Sequence, residues 1–592
     1  MSAPAAAHPG APAPPEQDTA AGQQQARKAP AAAPRGLRQS MADLHTWAGL
    51  LVGWVLYAMF LTGTVSYFRE EISLYLRPEL QAVGVAGLAG AAAAPTPGQT
   101  AQLVLDAVLA RAPGTPQVGI TLPTARNPGA SAYWMPADGQ RGNWGNAVFD
   151  ALGQSQSLRA SEGGDFFYGF HFNLHYLPTL WGRWIAGFCA MFMLVASISG
   201  VITHKKIFAD FFTFRWGKGQ RSWLDAHNGL SVLGLPFHFM ITYSGLVMLM
   251  AMYMPWGEQL ALNAQQRAQA MQSFSAWRPP AAPQPGAAAV PTVPLAPLVA
   301  QAQQHWAGQG QDGALARHLV GQVLVNNPGQ ASARIIVSRS AAGRISDHPR
   351  YLVFDGSNGQ LLESHDSAAP AAQTRGVLYG LHMGRFADGT LRWLYFLTSL
   401  AGTAMVGSGL VLWTVTRRAR LAAPAQPHLG FALVERLNIA AIAGLSVAMA
   451  GFFWLNRLLP LGLAQRAQWE IHGFFILWAL ALLYACLRPA KRAWVELLAL
   501  AAALLALLPP LSALSTERHL LRSLMQGDWV FAGFELALLA FAALHAQLAW
   551  RTARHQPRSA ARKLAGRQPG PIASRAAAGK ASASAAARSA QA

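Results

Sequence analysis

Charge is scarce in this sequence. Of 592 residues only 12% are Asp, Glu, Lys or Arg, about half the roughly 25% of an ordinary soluble domain, while 52% are hydrophobic. Cysteine is scarcer still. Cys189 and Cys486 stand singly inside apolar runs, which excludes a disulfide framework, a thiolate zinc site and an iron–sulfur cluster; without Cys-x-x-Cys-His there is no covalent haem attachment either. No Gly-x-Gly-x-x-Gly falls between a strand and a helix, and no P-loop occurs, so the chain offers no evident nucleotide or flavin domain. Acidic residues are the rarer sign: 26 against 46 basic ones leaves +20. Basic chains meet nucleic acid or anionic membrane, and here Lys and Arg cluster at the ends of long apolar runs, which favours membrane lipid and not nucleic acid.

Eight segments reach the roughly 20 residues needed to cross about 30 Å of hydrocarbon: approximately 45 to 68, 184 to 203, 229 to 254, 393 to 416, 437 to 456, 470 to 487, 496 to 514 and 529 to 550. The first is longer than a signal-peptide core and has no Ala-x-Ala site, so it reads as an anchor. Arg38 precedes span 1, Lys205, Lys206 and Arg215 join spans 2 and 3, Arg417 and Arg418 follow span 4, and Arg488, Lys491 and Arg492 follow span 6. Positive residues stay inside. Both termini are therefore expected to be cytoplasmic, with two long inserts outside.

The expected fold is an all-α polytopic membrane protein of about eight transmembrane helices carrying two small α+β inserts. In order these are a disordered tail (1–36), span 1 (37–69), a first insert (70–170), spans 2 and 3 (171–255), a second insert (256–378), span 4 (379–420), an appended four-helix unit (430–552) and a disordered basic tail (556–592). Residues 100 to 111 and 297 to 306 read as amphipathic helices. Ala147 to Leu158 and Tyr351 to Glu363 read as strand, turn, strand. The Ala/Gly-rich stretch Gly84 to Gly90 reads as linker.

The first 420 residues contain a repeat. Span 1 opens with Asp43-Leu44-His45 and carries Thr62-Gly63; span 3 opens with Asp225-Ala226-His227 and carries Ser244-Gly245, with the same spacing from His to Gly in both. Span 2 opens with Leu174-His175 and Arg183-Trp184 and carries Ser199-Gly200; span 4 opens with Leu381-His382 and Arg392-Trp393 and carries Ser408-Gly409. The last four spans show no such echo.

Histidine at the rim of a membrane span is a functional hypothesis by default. The repeat sorts four of them into an inner pair, His45 and His227, and an outer pair, His175 and His382. Zinc asks for three or four clustered donors, which the spans lack. Haem needs one axial ligand from each of two facing helices. A lone histidine at a helix end is more often a solvated or capping residue, but four at matched positions favour haem over a proton or metal path and over purely structural packing. Gly49 and Gly53, one and two turns after His45, would flatten a face for a porphyrin. Arg183, Arg385, Arg392 and Arg221 are candidates for its propionates. His171 shares a helical face with His175 and competes for the outer site. His238 follows His227 by about three turns, on the same face of an ideal helix, so a second stacked haem is an alternative that a kink at Pro236 would upset. His204, beside Lys205, either snorkels or ligates.

Leu44-His45-x-Trp47-x-Gly49 leading to Thr62-Gly63, the Leu-His motifs opening spans 2 and 4, Met383-Gly384 and the basic span ends resemble the PepSY-associated transmembrane-helix family over about residues 37 to 420. That family includes iron-regulated bacterial inner-membrane proteins and ferric-siderophore reductases with two b-type haems. The resemblance implies that His45, His175, His227 and His382 are the family's histidine positions, that the inserts are periplasmic and PepSY-like, and that the acceptor is ferric iron or a ferric siderophore. The electron donor would be a quinol or a cytoplasmic reductase. Two other readings stand beside this haem-dependent ferric reductase. One is a non-redox membrane module whose PepSY-like domains bind a periplasmic protein. The other is an iron or chelate transporter, which would favour broken helices and midplane charge.

Overall fold

A computed structural model describes residues 36–80, 95–124, 126–138, 144–204, 214–215, 217–281, 289–307, 318–421 and 427–555. Nearly all of both tails, the Gly84 to Gly90 stretch and Lys205 and Lys206 lie outside these. Among the described residues seven helices are long and apolar enough to cross a membrane: α1 (Leu37–Ser66), α5 (Thr179–Thr203), α10 (Gly389–Arg418), α11 (Leu429–Leu458), α12 (Arg466–Leu487), α13 (Ala490–Ser515) and α14 (Trp529–Arg554). The chain is a multi-pass membrane protein. The expected third span is a bent pair, α6 (Gln220–Leu233) and α7 (Leu235–Met248), which meet at 67°. The break falls at Gly234, just before Pro236, whose ring cannot continue a straight helix. It cancels the straight-helix projection from His227 to His238.

Spans 2 and 4 do not begin at the Leu-His motifs. A separate helix α4 (Gly164–Asn173) precedes α5, and α9 (Pro370–Met383) precedes α10. Leu174 (φ 49°) and Tyr176 (φ 69°) adopt left-handed backbone where α4 gives way to α5. The duplication is visible in the packing. Helix α1 lies against α4, α5 and α10, while α7 lies against α5 and α9 and α6 against α10. Each half thus inserts its helices between those of the other.

The two inserts are not two modules. β1 (Gln117–Thr121), β2 (Ala130–Trp134) and β3 (Gly145–Phe149) come from the first, and β4 (Val320–Asn326), β5 (Arg334–Arg339), β6 (Tyr351–Asp355) and β7 (Leu361–His365) from the second. Together they form one antiparallel sheet in the order β3-β2-β1-β4-β5-β6-β7. The joint is the pairing of β1 with β4, from Gln117 opposite Asn326 to Thr121 opposite Gln322. Helices α3 (Pro97–Arg111) and α8 (Leu295–Ala307) pack together over one face. Their Val104, Val108, Val299 and Trp306 join Val118, Val323 and Ile335 of the strands in a single core. Each insert alone would leave a long β edge unpaired. Pairing them removes both central edges. The expected strand pair at 147–158 is one strand with an isolated bridge from Phe149 to Ser155, whereas that at 351–363 forms as β6 and β7.

Helices α11 to α14 attach through buried polar contacts as well as apolar ones. A short helix α2 (Arg69–Tyr75) places Tyr75 among Phe453, Phe531 and Phe534 of this unit. Beside it Arg466 and Glu470 are buried together at 2.5 Å. Glu470 also accepts from Ser161 at 2.6 Å and Asn456 at 2.8 Å, and Arg466 donates to the Ala160 carbonyl at 2.8 Å.

Candidate functional site

Four histidines sit in four copies of one seat. The seat is a helix turn holding a carbonyl, a Ser or Thr three residues on, and a Gly four residues on. His45 Nδ1 meets the Ala196 carbonyl at 2.8 Å, His171 Nδ1 the Met59 carbonyl at 2.7 Å, and His227 Nδ1 the Met405 carbonyl at 2.9 Å. His382 Nδ1 meets the Ser244 hydroxyl at 3.0 Å, with the Ile241 backbone as a further partner. In each seat the hydroxyl also donates to that same carbonyl: Ser199 to Ala196, Thr62 to Met59, Ser408 to Met405 and Ser244 to Ile241. The glycine makes room for the ring. An added Cβ would lie 3.2 Å from His45 at Gly200, 2.8 Å from His171 at Gly63, and 3.0 Å from His227 at Gly409 and from His382 at Gly245.

A carbonyl can only accept, so the ring nitrogen facing it must carry the proton. Nδ1–H leaves Nε2 with its lone pair free, and a ligating histidine is commonly oriented through its other nitrogen in this way. The seats also bring the rings together in twos. The centroids of His45 and His227 are 6.2 Å apart, and those of His171 and His382 are also 6.2 Å apart. One imidazole from each of two facing helices is the donor set that would hold a haem iron. This donor set fits haem. Among the described residues no group of three or more His, Cys, Asp or Glu could hold a bare metal ion. On α1, His45 and Met59 mark the levels of the two pairs, about four turns or roughly 21 Å apart.

The inner pair is the one the repeat predicts. The other is not: His171, not His175, faces His382. His175 turns away at the left-handed backbone of residues 174–176 and stacks on Phe475 of α12, with centroids 5.6 Å apart. Its neighbour Tyr176 hydrogen-bonds His472. His204 ends α5 and its Nε2 accepts from Asn228 at 2.6 Å, outside both pairs. His238 is buried beside Phe60 and Gly402, with the Thr398 backbone as its hydrogen-bond partner, but no second histidine faces it among the described residues. Gly53 admits Leu410 of α10, since a Cβ there would strike it at 2.6 Å; Gly49 faces open space.

A cavity of about 1040 Å³ runs from His171 and His382 to the strands of the first insert. Of the arginines proposed for propionates, Arg183 and Arg385 line it. Arg183 bonds Asn173 at 3.0 Å and has no carboxylate partner among the described residues, whereas Arg385 pairs with Asp347 at 3.3 Å. Burial raises the Asp347 carboxyl above its usual pKa against the opposing pull of Arg385 and Arg344. Arg392 pairs with Glu71 at 3.5 Å and Arg221 is exposed in the first turn of α6, so neither fits the role as well as Arg183.

The meeting of His171 with His382 has a signal in another register. Tyr168-Gly169-Phe170-His171 and Tyr379-Gly380-Leu381-His382 share Tyr-Gly-x-His. That longer match outweighs the Leu-His pair once the break before α5 is allowed for. No curated protein matches the chain. A family model for the PepSY-associated TM region matches residues 42–415, a stretch that takes in all four seats and both strand sets and stops before α11. Seats, sheet and match coincide over the same residues, and the chain belongs to the PepSY-associated TM-region family.

Proposed function

We propose that this protein is a transmembrane electron conduit with two b-type haems, one between His45 and His227 and one between His171 and His382. It reduces ferric iron or a ferric siderophore on the sheet side, in iron uptake at a bacterial inner membrane. The observation that carries this reading is the fourfold seat, with Nδ1 fixed to the backbone and ring pairs 6.2 Å apart. Bound haem supplies a one-electron carrier near each face of the membrane. The chain fixes the tautomer of each ligand, sets the spacing of each pair and excludes water with apolar neighbours such as Met193 and Leu56. Arg183 is placed to hold a propionate of the sheet-side haem. Arg417 and Arg418, at the end of α10 remote from the sheet, support an orientation with that end in the cytoplasm and the sheet in the periplasm. Electrons enter from a quinol or a cytoplasmic reductase. A module that only binds a periplasmic protein leaves the four equivalent seats without a purpose.

Purified protein made with adequate haem supply is expected to carry two haems per chain and to give a b-type α-band on reduction. Right-side-out vesicles loaded with a reductant should reduce an impermeant ferric chelate outside. Protein without an α-band would sink the reading, and reduction only by inside-out vesicles would sink the orientation.

The seat has its own test. Gly63→Ala places a methyl 2.8 Å from His171, so the ring must leave its carbonyl. Loss of such a supporting contact weakens metal binding by about 10- to 100-fold. Low-spin haem should fall by about half while the His45 and His227 signal persists; an unchanged spectrum would show that the seat does not orient the ligand.

A further inference from the structure

The cavity over His171 and His382 holds more positive charge than the structure neutralises. Arg69, Arg77, Arg126, Arg183, Arg375 and Arg385 line it, against Glu70 and Asp165. Arg69 pairs with Asp165, Arg126 with Glu70 and Glu71, and Arg385 with Asp347. Arg77, Arg183 and Arg375 form no ion pair among the described residues, although the charge of Glu258 reaches Arg375 from outside salt-bridge distance. Arg77 donates to the Ser161 carbonyl at 2.7 Å, and Arg375 lies over Phe274 at 4.0 Å and over Tyr379 at 5.7 Å. Tyr379 and Tyr168 add two phenols to the wall.

These groups are aligned with the histidines. On α9, Arg375, Tyr379 and His382 fall at i, i+4 and i+7, along one face. Arg375 is therefore about 10.5 Å from His382 along the helix axis. On α4, Tyr168 precedes His171 by one turn, in the place that Tyr379 has before His382. Guanidinium and phenol groups together recognise carboxylate and catecholate oxygens, and a recess with unpaired positive charge attracts anions and rejects cations.

We propose that the sheet-side cavity binds a ferric chelate of net negative charge, its carboxylate or catecholate oxygens held by Arg375 with Tyr379. The proposal rests on the reductase reading for the fate of the iron, but binding itself needs no electron. The same arginine could instead meet a haem propionate, which is also a carboxylate, and the experiment separates the two.

The full-length, haem-loaded protein is titrated calorimetrically with gallium(III) citrate, an anionic and redox-inert probe, and with a cationic gallium(III) hydroxamate complex. The citrate complex should bind and the cationic one should not. Arg375→Gln should weaken citrate binding by about 10- to 100-fold, the effect of one charge-assisted contact, with the haem spectrum and potential unchanged. Arg375→Lys should recover most of it, and Arg334→Gln, on the sheet away from the cavity, should leave it intact. Full citrate binding by Arg375→Gln with a shifted haem potential would assign Arg375 to a propionate and overturn the proposal. So would a wild-type protein that carries haem but binds no gallium citrate, or binds the cationic complex equally. Failure of the reductase reading shows separately, as protein without a haem band.

Discussion

His171→Ala is expected to remove about half of the haem and to abolish electron transfer across the membrane, whereas His175→Ala leaves both intact. The first variant deletes the ligand 6.2 Å from His382 and leaves the ring of His382 alone on its side of the iron. The second deletes a ring that stacks on Phe475 and lies outside both histidine pairs. Two measurements check this: haem per chain by pyridine haemochrome, and ferric-chelate reduction by vesicles loaded with reductant. The inner pair should keep its low-spin band in both variants. If His175→Ala loses haem and His171→Ala does not, the Leu-His register is the functional one and the seat in α1 is only a packing contact.

The repeat, seven of the expected spans and the meeting of His45 with His227 are legible in the sequence, because each is a short pattern of apolar run, basic end and His-to-Gly spacing, whereas the third expected span is a helix pair bent by 67°. The Ser-Gly and Thr-Gly motifs are equally visible. Their purpose is not, since each seat receives a histidine from another helix: Gly63 serves His171, and Gly409 serves His227. His171, not His175, meets His382 because the chain breaks between Asn173 and Thr179, and spacing does not choose between the two: His175 precedes Arg183 by 8 residues and His171 by 12, each 2 away from the 10 between His382 and Arg392. Sheet fusion is hidden for a different reason. Gln117–Thr121 and Val320–Asn326 are buried at nearly consecutive residues and lack the alternation of a half-exposed strand, and nothing local states that strands from two separate inserts pair with each other.

The appended helices supply the second large expected effect, on stability. Glu470→Ala should destabilise the protein by about 3–5 kcal/mol, the cost of leaving a buried cation without its partner. Arg466 and Glu470 are 1% and 0% exposed, and Glu470 also takes hydrogen bonds from Asn456 and Ser161. A joint change to Arg466→Met and Glu470→Leu should recover most of the loss, because two apolar side chains need no countercharge there. Thermal unfolding in detergent, followed by near-ultraviolet dichroism, reads both. A Glu470→Ala protein as stable as the wild type would mean that water or lipid headgroups already screen Arg466. Because Ser161 and Ala160 belong to the segment leading into α4, the destabilised protein should also lose order around His171 before it loses order around His45.

The pairing of β1 with β4 also sets a timetable for biogenesis. Thr121 ends β1 and Asn326 ends β4, so the ribosome must deliver everything between them before the partner strand is complete. At about 5–20 residues per second, a stretch of this length takes roughly 10–40 s to make. Throughout this interval the N-terminal half of the sheet presents a bare edge to the compartment it has entered, while α5, α6 and α7 are still being inserted. An edge of this kind templates association with any extended chain nearby. Newly made protein is thus most vulnerable to chaperone capture and proteolysis in the middle of its synthesis, and strain on the insertion machinery should yield fragments that end between the two strand sets.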